Sequence, residues 1–333
     1  MPFTFSHPLF AVPLRRLAPS LSLSGLLLGS MTPDMEYFVA MEPFRSIGHS
    51  WQGFLLLGVP LSIAAAAAWR FVLAPLLPRL LPAALRLDRY AADRLAERRE
   101  PLLTPRAAGW FLLSLYIGFL SHLLVDGMTH THGWFVLWQS DLMHARHAGL
   151  PLYRWLQYLF SLLGLLAGAC WLAADYARWR RASRSARPGR PAVRPLAKLG
   201  GWTLAGTCGL LLFAPKLLLA PSPDNPVLWL VAACSSLLFG LFAAGLLLRP
   251  GRILRKLAGA ALVPLLAAGY KAAAMARDIG GPMAASDLPL WIGYVWLLSI
   301  AFVALSAVPS GRAAAAGAGG ARRRSESRSG PAV

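Results

Sequence analysis

Apolar residues run through this chain in stretches of about 20, long enough to cross the hydrocarbon core of a bilayer, and short polar or basic segments separate them. Seven such runs predict transmembrane helices at roughly 53–77, 108–128, 155–176, 199–219, 227–248, 257–276 and 288–308. An eighth apolar stretch, LAPSLSLSGLLLGSM, follows Arg15 and Arg16 and has some of the look of a signal peptide. The apolar, proline-punctuated FTFSHPLFAVPL ahead of it does not fit a short basic leader, and the run from Leu21 to Met31 is too short to span. A re-entrant or interfacial helix is the better expectation. The pattern therefore predicts an all-α, polytopic membrane protein of about seven transmembrane helices with an N-terminal helix that does not cross.

Composition agrees with that class: 56% of residues are hydrophobic and only 14% are charged. The formal charge of +19 invites a nucleic-acid reading, but the basic residues sit between apolar runs instead of on a polar domain with stacking aromatics. The segments 79–107, 178–198 and 249–256 and the tail from 309 carry 7, 8, 4 and 5 Lys or Arg, against six in the alternating segments. The positive-inside rule then places those basic segments in the cytoplasm and the N-terminus outside. Three residues remain within spans, Arg70, Lys216 and Lys271, where snorkelling or a helix-facing role is expected. Cys170, Cys208 and Cys234 lie inside apolar runs without disulfide or CxxC spacing and read as packing residues.

Four units follow: an N-terminal membrane domain over 1–177, a basic Pro, Ser and Arg-rich linker over 178–198, C-terminal membrane helices over 199–308, and a low-complexity basic tail over 309–333. Residues 79–107 include AALRLDRYAADRLAERRE, which suits a solvated or interfacial helix. All seven histidines lie at or before His147. Any imidazole chemistry belongs to the first half.

The densest polar cluster interrupts an apolar run, in SHLLVDGMTHTHGW at 121–134. His122 and Asp126 are four apart, so a helix continuing through them stacks both side chains on one face, as two metal ligands require. His130 and His132 follow at the helix end, where a loop can return a third ligand to that face. A purely structural alternative exists, in which the histidine meets the helix dipole and the aspartate binds loop amides. Membrane depth favours a functional pair, since an unpaired ionisable group there costs about 2.5 kcal/mol or more. The predicted topology puts His7, Asp34 and His49 on the same outer side. Asp34 has its own alternative, as an acid in the first turn of a helix capped by Thr32 with Pro33 at its first position. Glu36 is the nearby carboxylate that could take a proton from an attacking water, or it is a solvated helix residue. Asp141, His144 and His147 form a rival cluster that reads better as a capped surface helix.

The opening MPFTFSHP, the segment GSMTPDMEYF, SIGHS before the first span and SHLLVDGMTHTHGW resemble the bacterial membrane family catalogued as domain of unknown function 4184, over roughly 1–250. More distantly, the ordered His, Asp, His and HxxxD set resembles predicted membrane-bound metal-dependent hydrolases of the LexA-regulated inner-membrane type and zinc-dependent phospholipase C. The resemblance implies metal-ligand roles for His7, Asp34, His49, His122, Asp126 and His130, but none for His132. Val125 stands where relatives often carry tryptophan. The expected function is a membrane metalloprotein, a metal-dependent hydrolase of an ester or phosphodiester at the outer interface, with membrane lipids as partners and a lipid-linked substrate. Its cofactor is expected to be one or two divalent ions, zinc first and manganese or iron next, since the donors are nitrogen and oxygen without thiolate. The competing expectation is a non-catalytic metal-binding scaffold or permease.

Overall fold

The computed structural model describes residues 4–97, 104–183, 193–219, 224–277 and 286–307. The described chain is almost entirely helical, its strands limited to a two-residue pair, Arg146–His147 against Leu150–Pro151. Short helical turns over 4–16 lead to α1 (Leu23–Met31), followed by a tight 3-10 turn at Thr32–Asp34 and by α2 (Met35–Ala40). The seven apolar helices long enough to cross a membrane are α3 (Trp51–Leu80), α5 (Pro105–Thr129), α6 (Leu152–Ala182), α7 (Pro195–Leu219), α8 (Pro226–Leu247), α9 (Ile253–Ala276) and α10 (Leu288–Ala307), with α4 (Leu87–Glu97) between the first two. This is a multi-pass helical architecture. α1, with nine residues, is too short to cross and lies against α5.

The helices begin where local chemistry lets them. Ser22, Ser50 and Thr104 each accept a backbone N–H three residues on, at 3.1, 3.0 and 3.2 Å, and Asn225 does the same for Val227 and Leu228 at the head of α8. Pro105 and Pro226 occupy the first helical position, where no N–H is needed. α3 widens into a π-helical turn at Phe54–Gly58, just before Pro60, whose missing N–H leaves a carbonyl one turn back without its helical donor.

α3 is the shared wall of the bundle. Its Leu57 and Leu61 enter a core with Cys208 of α7, Phe239 and Ala243 of α8, Val263 of α9 and Trp291, Tyr294, Val295 and Leu298 of α10. On the other side Phe54 packs with Leu115 and Phe119 of α5. The last helix therefore lies against the first spanning one. α6 stands at the edge with most of its leucines exposed, as a lipid-facing helix does.

α1 and α5 cross closely enough to fix their register. A Cβ on Gly29 would lie 2.1 Å from the Leu115 carbonyl oxygen, and one on Gly118 would lie 2.7 Å from both the Leu26 carbonyl oxygen and the Ser30 nitrogen. Only glycine fits at either crossing position, and the contact sets Ser30 beside the next turn of α5, which carries His122.

The basic segments meet at one end of the bundle. α4 is less solvated than its sequence suggests: Asp88, 5% exposed, pairs with Lys198 at 2.9 Å, Asp93 accepts the Trp179 indole N–H, and the Tyr90 hydroxyl donates to Asp175. The physical reason is that both flanking helices end there with polar groups needing partners. α6 continues to Ala182 and α7 starts at Pro195, so helix extends into both ends of the 178–198 linker. Residues 184–192 of that linker and the tail from 308 lie outside the described residues. At the opposite end, Glu42 pairs with Lys216 of α7 and, at 3.6 Å, with Lys271 of α9. Lys216 thus faces protein, whereas Lys271 stays 57% exposed.

Candidate metal centre

Six polar side chains from four separate segments of chain converge where the N-terminal turns, the 3-10 turn, the loop 41–50 and α5 meet. The helix α5 runs through Asp126 without a break, so His122 and Asp126 fall on one buried face, with His122 Nε2 3.3 Å from Asp126 Oδ2. From the other side of the crossing, the Ser30 carbonyl accepts a hydrogen bond from His122 Nδ1 at 2.8 Å. That bond fixes the tautomer and leaves the Nε2 lone pair facing the cluster, the arrangement usual for a metal-bound imidazole.

Asp34 is prepared in the same way. The Thr4 hydroxyl donates to its Oδ2 at 2.8 Å, and its Oδ1 faces His49 Nε2 at 3.6 Å and His122 Nε2 at 3.9 Å. The helix-cap alternative is not what the turn does. Thr32 Oγ1 bonds to the Leu28 carbonyl and the Ser62 hydroxyl, and Asp34 caps nothing and is fully buried. Burial pushes the Asp34 carboxyl above the usual carboxylate range, with the His122 and His49 imidazoles opposing that rise.

His7 arrives on the N-terminal turns and is also fully buried, its ring stacked on His122 with centroids 3.8 Å apart and planes 12° from parallel. Its Nε2 lies 3.6 Å from Asp126 Oδ1. Burial first, and the neighbouring His122 second, hold its imidazole well below the usual histidine range. His49, immediately before the cap of α3, places Nε2 3.3 Å from Asp126 Oδ2. His130 is the C-terminal cap of α5. Its Nδ1 bonds the Asp126 carbonyl at 3.0 Å and lies 3.6 Å from Asp126 Oδ1. The two Asp126 oxygens thus have different company, His49 and His122 on one and His7 and His130 on the other.

These contacts leave hydrogen-bonding capacity unused. Among the described residues sixteen buried side-chain polar atoms have no hydrogen-bond partner, and nine of them belong to His7, Asp34, His49, His122, Asp126 and His130. Buried polar groups ordinarily find partners, so such a concentration calls for a ligand. The spacing suits a cation. Two donors about 2.0–2.1 Å from a common ion at tetrahedral angles stand roughly 3.3–3.4 Å apart, longer than a good hydrogen bond and near the separations here. Two triads, His7 with Asp34 and His122, and His49 with His122 and Asp126, have ligand atoms all within 4.8 Å of one another. His130 belongs to neither triad and stands at the rim, 22% exposed.

The other polar candidates fall elsewhere. His132, Asp141, His144 and His147 are exposed, and the His144 ring bonds the carbonyl of its own Ser140. Glu36 is 1% exposed, which corrects the solvated reading; its carboxylate accepts the Ser46 N–H at 3.1 Å and the Ser46 hydroxyl. Burial raises its pKa, with the Ser46 bonds opposing. Sequence reasoning missed Thr4 and the Ser30 carbonyl. Neither carries a recognisable signal, since one is a common hydroxyl and the other is main chain.

No curated protein and no solved structure matches the chain. Residues 1–247, which contain every member of the cluster, match the family model described as Domain of unknown function (DUF4184), and the chain belongs to that family.

Proposed function

We propose that this protein is an integral membrane metalloprotein, a metal-dependent hydrolase whose site is built from His7, Asp34, His49, His122 and Asp126 with His130 at the rim. One observation supports it above the others: imidazole and carboxylate atoms from distant parts of the chain are buried together, unpartnered and spaced as ligands of a shared cation. The donor set, nitrogen and oxygen without thiolate, fits zinc, with manganese or iron as alternatives. A bound ion of this kind supplies Lewis acidity, lowering the pKa of a coordinated water toward about 7 and polarising an ester or phosphodiester. The chain itself orients the donors: Ser30 sets the His122 tautomer and Thr4 selects the Asp34 oxygen that faces inward.

His49 and His130 are the partly exposed members, so a substrate would approach from their side. The positive-inside rule puts that side outside a bacterial inner membrane, with the C-terminus in the cytoplasm. A lipid-linked ester or phosphodiester fits a site at that depth. The ordered His, Asp, His and HxxxD set also resembles the LexA-regulated inner-membrane hydrolases and zinc-dependent phospholipase C.

A second reading has its own support. Two triads of donors sharing His122 can fill the coordination sphere of a cation, and His7, Asp34 and His122 are fully buried. A saturated site would serve as a scaffold. Protein purified without chelators should retain stoichiometric divalent metal by elemental analysis and hydrolyse bis-p-nitrophenyl phosphate or a p-nitrophenyl ester. His122→Ala and Asp126→Asn should lose both properties. Metal without turnover favours the scaffold, and metal-free wild-type protein that cannot be loaded with zinc ends the proposal.

A further inference from the structure

His49 reaches the cluster from a loop with little regular structure of its own. α2 stops at Met41, whose φ of 58° is left-handed, and the chain must travel to the Ser50 cap of α3 through EPFRSIGHS. Within 42–49, the main-chain bonds outside regular helices are Glu42 N–H to the Tyr37 carbonyl at 3.2 Å and Ser50 N–H to the Ile47 carbonyl at 2.8 Å. The His49 ring has no hydrogen bond through either nitrogen. The ring meets only other members of the cluster, Asp126 at 3.3 Å, Asp34 at 3.6 Å and the His122 ring edge-on, so the loop backbone is what delivers it there.

That backbone rests on Glu36. The carboxylate takes both the N–H and the hydroxyl of Ser46, three residues before His49. It also fills the space beneath Gly48: a Cβ there would stand 2.7 Å from Glu36 Oε1 and 2.7 Å from the Pro33 carbonyl oxygen. The same short stretch of chain holds Asp34, so one turn of structure presents a carboxylate to the cluster and, two residues on, a second carboxylate to the loop that delivers an imidazole. A general base needs an oxygen free to meet a water. Both Glu36 oxygens already accept from Ser46, and the side chain is sealed from solvent.

We propose that Glu36 is a positioning residue, holding His49 for cation binding through Ser46 and the turn at Gly48, and not the proton acceptor of the reaction. This rests on the metal-site reading given above. The test is a double-mutant cycle on zinc affinity, measured on the purified full chain in detergent by competition with a chromophoric chelator. Loss of an outer partner of a metal ligand typically weakens binding about 10- to 100-fold, and Glu36→Ala should fall in that range. Glu36→Gln keeps an acceptor for the Ser46 N–H and can donate to its hydroxyl, so it should stay within about threefold of wild type. In a His49→Ala background, Glu36→Ala should cause no further loss. If Glu36→Ala does not fold, Ser46→Ala takes its place in the same cycle with the same expectation. Unchanged zinc affinity in the single variant, or an equal loss with and without His49, overturns the positioning role. Wild-type protein that binds no zinc fails earlier and overturns the metal site itself.

Discussion

One hydroxyl decides which oxygen of Asp34 is available. Thr4 occupies Oδ2, so Oδ1 alone faces the imidazoles of His49 and His122. Thr4→Val keeps the shape and removes the donor, and zinc affinity should drop about tenfold as the carboxylate loses its orientation. Acidity should act through the same carboxyl. Metal ligands must be deprotonated, and burial gives Asp34 a raised affinity for protons while leaving His7 a free base at neutral pH. Protons therefore compete with the cation at Asp34 from a higher pH than at an ordinary aspartate. Zinc affinity should fall as pH is lowered from 7 to 5, and Asp34→Asn, weaker overall, should show a flatter dependence in the same titration.

The elements make that chemistry possible by approaching closely. α1 and α5 touch through Gly29 and Gly118, and His122 sits one turn beyond the contact. Gly118→Val would drive a side chain into the backbone of α1 and separate His122 Nδ1 from the Ser30 carbonyl. Such a variant should insert into the membrane and lose zinc, read as intact protein by gel filtration with metal absent by elemental analysis. The spans themselves were legible because apolar length and caps are local properties, and each observed helix overlaps its predicted run, most of them extended by a few residues at one or both ends and the last matching it to within one residue. The His122 and Asp126 pair was legible for the same reason, being a helical repeat of four. Glu36 was not, because its partner Ser46 is chosen by the path of an irregular loop. Nor was the whole α4 surface legible: Asp88 and Asp93 look solvated in sequence and are recruited by Lys198 and Trp179 from elsewhere in the chain, while Glu97 stays exposed.

At the scale of the molecule, polar groups divide between two ends. One holds the histidine and aspartate cluster and the Glu42 contact to Lys216 and Lys271; the other holds Asp88, Lys198 and the basic segments. Removing one member of a buried ion pair leaves the other uncompensated, which costs about 3–5 kcal/mol. Lys198→Met should therefore unfold at lower detergent denaturant than wild type, and Asp88→Asn with Lys198→Met should recover most of the loss. The membrane orientation is a separate matter, tested by alkaline phosphatase fusions. Activity is expected after Gly149 and not after Ala186, and the reverse result inverts the proposed sidedness.

The stacked rings of His7 and His122 join residues that leave the ribosome far apart in time. His7 emerges early, yet its neighbour in the stack comes only with the second spanning helix, and Ser6 beside it packs under Gly164 of the third. The N-terminal turns can pack on α1 at once, but these two contacts are both in place only after the third spanning helix has been made. A cation captured at that moment would act as a latch on biogenesis, closing the first half of the protein before the remaining helices gather around α3.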